Sequence, residues 1–151
     1  MQPRLLFPWF LFLFSACASN QDQWRKGRPK VVPVEGTIMY KGAPLADATV
    51  TFTNTATSTT AYAHTAADGK FIQTTFVKGD GAAPGKQDVA VRKVLLIDKA
   101  KGLDTGASSE IPPLPEERWQ IPQKFGSAQT SGLGLEIPES GNKALVIELK
   151  D

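Results

Sequence analysis

From Val31 onward apolar and polar residues alternate with a period of two, the repeat of a strand with one buried face. Val32, Val34, Ile38 and Tyr40 share one parity, with Gly36 between them. In "YKGAPLADATVTF" (40–52), Lys41 and Gly42 make a turn, Pro44 stiffens the chain, and Leu45 is placed to plug one end of a core. Ala46 and Asp47 turn again. Ala48, Val50 and Phe52 then face one way while Thr49, Thr51 and Thr53 face the other, which predicts a half-buried antiparallel strand. A Thr-rich loop over 54–60 leads into "TAYAHT", another predicted strand. Asp68 and Gly69 in "AADGKFIQTTF" give a hairpin signal, because Gly tolerates positive φ and Asp bonds its own downstream backbone.

The pattern changes in the second half. After the Gly-rich "KGDGAAPGK", with a turn at Gly85, a strand begins near Lys86 in which Val89 and Val91 alternate. Val94 to Ile97 are continuously apolar, and such a break in parity predicts a bulge or a change of packing partner. Residues 99–124 show no steady period, and "EIPPLPEERWQIP" favours extended, polyproline-like backbone. Order returns with Leu133, Leu135 and Ile137, a turn at "ESGN", and Leu145, Ile147 and Leu149. About seven short strands with frequent turns and no helix predict an all-β sandwich over 31–151, with an irregular insertion at about 99–124.

The first residues read differently. One positive charge, Arg4, precedes an apolar run over 5–14, and small residues, Ser15 and Ala16, follow. A membrane span needs roughly 20 apolar residues. This run is shorter and carries Pro8, so it reads as the apolar part of a secretory signal over 1–16. The single cysteine, Cys17, comes directly after. "FSAC" (14–17) resembles the bacterial lipobox, with Ser15, Ala16 and Cys17 matching and Phe14 standing where an aliphatic residue is common. The resemblance implies a diacylglycerol thioether on Cys17, cleavage just before it, and acylation of the new amine. Two or three acyl chains, at about 0.8 kcal/mol per buried methylene, make a stable anchor. The alternative is ordinary secretion with a thiol left at Cys17. Residues 17–30 are polar and then basic and form a flexible tether, whose Arg25, Lys26, Arg28 and Lys30 beside Trp24 can also rest on anionic lipid or cell-wall polymer. Position 18 is Ala rather than a retention-type Asp, which by analogy with sorting rules favours the outer membrane, against secreted or periplasmic alternatives.

Composition narrows the chemistry. The net charge is +2, and loss of Arg4 with the leader leaves +1, so nothing points to nucleic acid. One cysteine cannot close an intramolecular disulfide and one histidine, His64, cannot build a zinc site; neither metal nor cofactor is expected.

The order "VEGTIMYKGAPLADATVTF", "TAADGKF", "PGKQDVAV" resembles the carboxypeptidase regulatory-like or transthyretin-like domain. The matching elements are the Gly36 strand, Gly42 and Leu45 before Ala48 and Val50, the Asp68-Gly69 turn with Phe71, and Pro84-Gly85 before Val89 and Val91. Members often carry Tyr where Gln87 stands. The ending "IPQKFGSAQTSGLGLEIPESGNKALVIEL" is similar to that of small secreted planctomycete lipoproteins containing this domain. The resemblance implies a seven-stranded Greek-key, prealbumin-like sandwich, anchored outside the cytoplasm, and no known catalytic activity.

Catalysis finds little support in the residues. His64 lies in an alternating strand and no Gly-x-Ser-x-Gly elbow appears. The hydrolase of hydroxyisourate built on the transthyretin-like fold has several histidines and a Tyr-Arg-Gly-Ser ending that this chain lacks. Asp68 with Gly69, and Asp80 between Gly79 and Gly81, lack the repeated oxygens of a calcium loop, so turn duty is expected. "GDGAAPG" lacks the Lys-Ser/Thr of a phosphate loop. The candidate binding element is the insertion, where Ile111, Pro112, Pro113, Leu114, Arg118 and Trp119 form a stiff aromatic edge for a peptide or glycan. The competing role for Trp119 and Ile121 is to pin that loop to the sandwich. The expected function is a non-enzymatic, lipid-anchored cell-envelope protein with structural, adhesive or assembly interactions. The alternatives are an accessory module for carbohydrate or a secreted protein partner, and, more remotely, a small hydrolase.

Overall fold

The computed structural model describes residues 26–98 and 114–150. The leader, Phe14, Ser15, Ala16, Cys17 and the loop residues Ile111, Pro112 and Pro113 lie outside the described residues. Those described are mostly β and fold as an all-β sandwich. The first layer contains β1 (Val34–Tyr40), which pairs in parallel with β10 (Asn142–Leu149) on one edge. Its other edge pairs antiparallel with β2 (Ala43–Pro44) and β5 (Lys70–Ile72). The second layer runs β4 (Thr59–His64), β3 (Thr49–Asn54), β6 (Gly85–Arg92), β9 (Leu133–Ile137), all antiparallel. A separate ribbon joins β7 (Val94–Ile97) to β8 (Glu116–Trp119). A 3-10 turn (Gln123–Gly126) and a one-turn helix α1 (Ala128–Ser131) lead into β9.

Alternation decides which side chains meet between the layers. Val34 and Ile38 face inward from β1, Val50 and Phe52 from β3, and Val89 and Val91 from β6, all buried. Ala61 and Ala63 do the same from β4, and Ile147 and Leu149 from β10. Phe52 and Phe71 meet edge to face across the layers, with ring centroids 6.0 Å apart. Gly36 is required by close approach. A Cβ there would stand 2.4 Å from the Leu145 carbonyl oxygen and 2.9 Å from the Phe71 ring, so Gly36 lets β10 and Phe71 close on β1 together. Leu45 is buried at the end of the core, as its position after the Pro44 turn predicts.

Three local features depart from a simple reading of the alternation. The Asp68-Gly69 turn closes with Ala66 N–H donating to the Lys70 carbonyl, and Tyr62 and Thr74 exchange two backbone hydrogen bonds in the same register. Between these points the hairpin splits: His64 pairs with Thr49 in the second layer, and Ile72 pairs with Glu35 in the first. The turn therefore makes a corner between sheets. Second, the apolar run at β7 does change partner, but the partner is β8, which lies inside the stretch that lacks a period in sequence. Third, Gln87 is buried and its Nε2 donates to the Ala83 carbonyl at 2.7 Å, so a polar side chain is satisfied in the core beneath β6.

Candidate functional site

The split hairpin has an outward consequence. Where β4 and β5 leave one another, a groove of about 1330 Å³ opens, lined by strands of both layers. It runs from Lys143–Val146 on β10, across Glu35 and Thr37 on β1 and Ile72 on β5, to Tyr62 and His64 on β4. Tyr62, Ile72 and Val146 are each more than half exposed, and they give the groove an apolar floor. Lys70, Lys78 and Lys143 rim it, opposed by Glu35. Lys70 is held by Asp68, Nζ to Oδ2 2.9 Å, and the Lys70 side chain pulls the Asp68 carboxyl below its ordinary value by hydrogen bonding it. Lys78 and Lys143 have no ion-pair partner among the described residues.

His64 is exposed on the outer face of β4, and its Nε2 stands 3.8 Å from Asp47 Oδ1, an exposed pair. Among the described residues no group of three or more His, Cys, Asp and Glu side chains could hold a metal ion. Asp80 is engaged in its own loop, where its carboxylate accepts from the backbone N–H groups of Thr75, Phe76 and Val77 at 2.7, 3.0 and 2.9 Å. The turn residues take left-handed conformations, with φ of 77° at Gly42, 75° at Gly69 and 101° at Gly85. Asp68 Oδ1 accepts from Lys70 N–H at 3.1 Å in the turn.

The described part of the insertion stands at the other end of the molecule from Lys78. Leu114 is exposed, and so is Arg118 on β8. Trp119 is half-buried: its ring lies over Gly126, whose Cβ, if present, would approach it to 2.5 Å. Arg92 covers the ring at 5.3 Å and pairs with Glu117 at 2.5 Å. Ile121 is buried. These contacts tie the ribbon to the sandwich through Trp119 and Ile121. Leu114 and Arg118 are exposed while Trp119 is half-buried against the sandwich, and none of the three lines the groove.

Sequence reasoning passed over the groove floor. A signal was present: Tyr62, Ile72 and Val146 are apolar residues on the outward parity of strands whose inward positions already supply the core.

No protein-family model matches the chain, and no curated protein or solved structure matches it.

Proposed function

We propose that this chain is a non-enzymatic protein of the cell envelope, anchored through lipid on Cys17, that holds a partner against the outer face of its sandwich. The observation that carries the reading is the groove: an apolar floor of Ile72 and Val146 from the first layer and Tyr62 from the second, rimmed by cations. The finer fold reading belongs here too. Without the two-residue β2 and the β7–β8 ribbon, the described layers contain three and four strands, which supports a seven-stranded, transthyretin-like Greek-key arrangement. The signal-like leader and the "FSAC" motif support an extracytoplasmic location, and Ala18 in place of a retention-type Asp favours the outer membrane. An accessory role toward carbohydrate is favoured by one specific observation, the exposed Tyr62 ring in a groove that Lys78 and Lys143 also line, because sugars stack on aromatic faces and bond to polar rims.

In-cell crosslinking and pull-down of the anchored protein, read by mass spectrometry, tests the binding reading. Tyr62→Ala with Ile72→Ser should lose the captured partner while the fold persists. Unchanged capture would remove the groove from the proposal. Replacing Cys17 with Ser should release the protein from the membrane fraction, and retention there would sink the anchor.

A further inference from the structure

We propose that the loop over residues 74–81 is a membrane-docking tip, which seats on an anionic lipid surface with Phe76 and Val77 at the headgroup boundary. At its apex Phe76 and Val77 stand next to one another in solvent, 37% and 58% exposed. Lys78 follows them, and Lys26 and Arg28 are exposed at the start of the described chain. The Arg28 guanidinium lies 5.0 Å from the centre of the Phe76 ring, which joins the basic segment to the apolar tip. An apolar wedge inside a collar of cations matches the two attractions of an anionic membrane, burial at the acyl boundary and charge at the headgroups.

The loop's internal bonding is a separate argument for the same surface. Backbone N–H groups that enter the poorly hydrated part of a bilayer need partners of their own. Here the Asp80 carboxylate takes the N–H groups of Thr75, Phe76 and Val77. Gly79 N–H donates to Thr74 Oγ1 at 3.0 Å, Asp80 N–H to the Val77 carbonyl at 2.9 Å, and Gly81 N–H to the Gln73 carbonyl at 2.9 Å. The tip can lose water without leaving these donors unpaired. Of the acids at this end, the Asp80 carboxylate is turned onto the loop's own N–H groups, Glu139 is paired with Lys30 at 2.6 Å, and Glu35 faces the groove rather than the apex.

Position supplies the orientation, and only here does the proposal rest on the anchor reading. Val32 and Ala82 exchange two backbone hydrogen bonds, so the incoming chain enters at the end of the sandwich that bears the tip. Cys17 and Lys26 are nine positions apart. Fully extended, that stretch spans at most about 30 Å. An acylated Cys17 would hold the tip close to the bilayer, where even a weak docking site is occupied.

The test uses the chain from position 17 onward carrying Cys17→Ser, so that docking is read without the apolar leader or the anchor. Flotation with vesicles of phosphatidylcholine and phosphatidylglycerol at 7:3 should carry the protein upward, and phosphatidylcholine alone should not. Phe76→Asp with Val77→Asp should lower the bound fraction at least about tenfold. The same change on another exposed apolar residue, Leu96→Asp, should leave it unaltered. In this background Val77→Cys is the single thiol, and an environment-sensitive dye there should shift to the blue on the mixed vesicles. The dye at Ala43→Cys, in the exposed β2 turn at the opposite end, should keep its aqueous emission. Failure to float, or equal flotation of the double variant, overturns the docking tip. Retention on an anionic polysaccharide column without vesicle binding would assign the surface to envelope polymer and overturn it equally. Acyl chains on Cys17 are read separately, by mass spectrometry of the unmutated protein, so the anchor and the tip fail independently.

Discussion

Gln73 is wholly buried, and neither its side-chain nitrogen nor its oxygen has a hydrogen-bond partner among the described residues. Its backbone is well used, with N–H donating to the Val34 carbonyl at 2.9 Å, so the side chain is carried inward by a strand path fixed on other grounds. An unpartnered buried amide costs more than a methylene chain of similar shape. Gln73→Met should therefore stabilise the fold by about 1 kcal/mol, seen as a rise in melting temperature of a few degrees. Asp68 offers a pH-dependent test. The Lys70 hydrogen bond holds its carboxyl below the ordinary value of 3.8, so its contribution is present above that pH in the folded state. It is lost as pH falls through the lowered folded value. Melting curves of Asp68→Asn and the unmutated protein should differ slightly at neutral pH and converge in acid below about 3.8. Since both side chains are exposed, the gap at neutral pH should be small.

At the scale of elements, the β7–β8 ribbon stands on few contacts. Leu95 and Leu96 are exposed, and attachment depends on the Trp119 ring against Gly126 and Arg92 and on Gln120 N–H donating to the Lys93 carbonyl at 3.0 Å. Trp119→Ala should cost about 2 kcal/mol and speed amide exchange over β7 and β8, while the two main sheets keep their protection. If partner capture also falls while stability holds, Trp119 would be a recognition residue. The elements differ in how far sequence announces them. β3 and β4 were legible because Val50, Phe52, Ala61 and Ala63 alternate cleanly with polar neighbours. β8 was not, because "EERW" has no buried parity of its own and exists through its partner β7. The Asp68-Gly69 turn was legible as a turn, yet the split above it was not. A local turn signal is the same whether the strands it joins stay together or part into two sheets. The groove depends on that parting, which is why its floor residues looked like ordinary strand positions.

The whole molecule has a polarity. Residues 26–33, the 74–81 loop and the first residues of β1 and β10 gather at one end, while the Asp68 turn and the β2 turn lie at the other. The first layer depends on β10, which supplies Ile147 and Leu149 to the core and closes on Gly36. A chain ending at Glu139 should fail to fold cooperatively, shown by loss of a sigmoidal denaturant transition and by dye binding to exposed core. That β1 and β10 pair in parallel also sets a sequence of events. Any process that handles this chain from its N-terminus, whether synthesis or passage through a secretion channel, delivers Gly36 long before Leu145. Until then the opening strand has only the short β2 and β5 beside it, and the layers cannot seal. The first layer thus cannot close until β10 emerges, a delay written into the topology by one parallel pair.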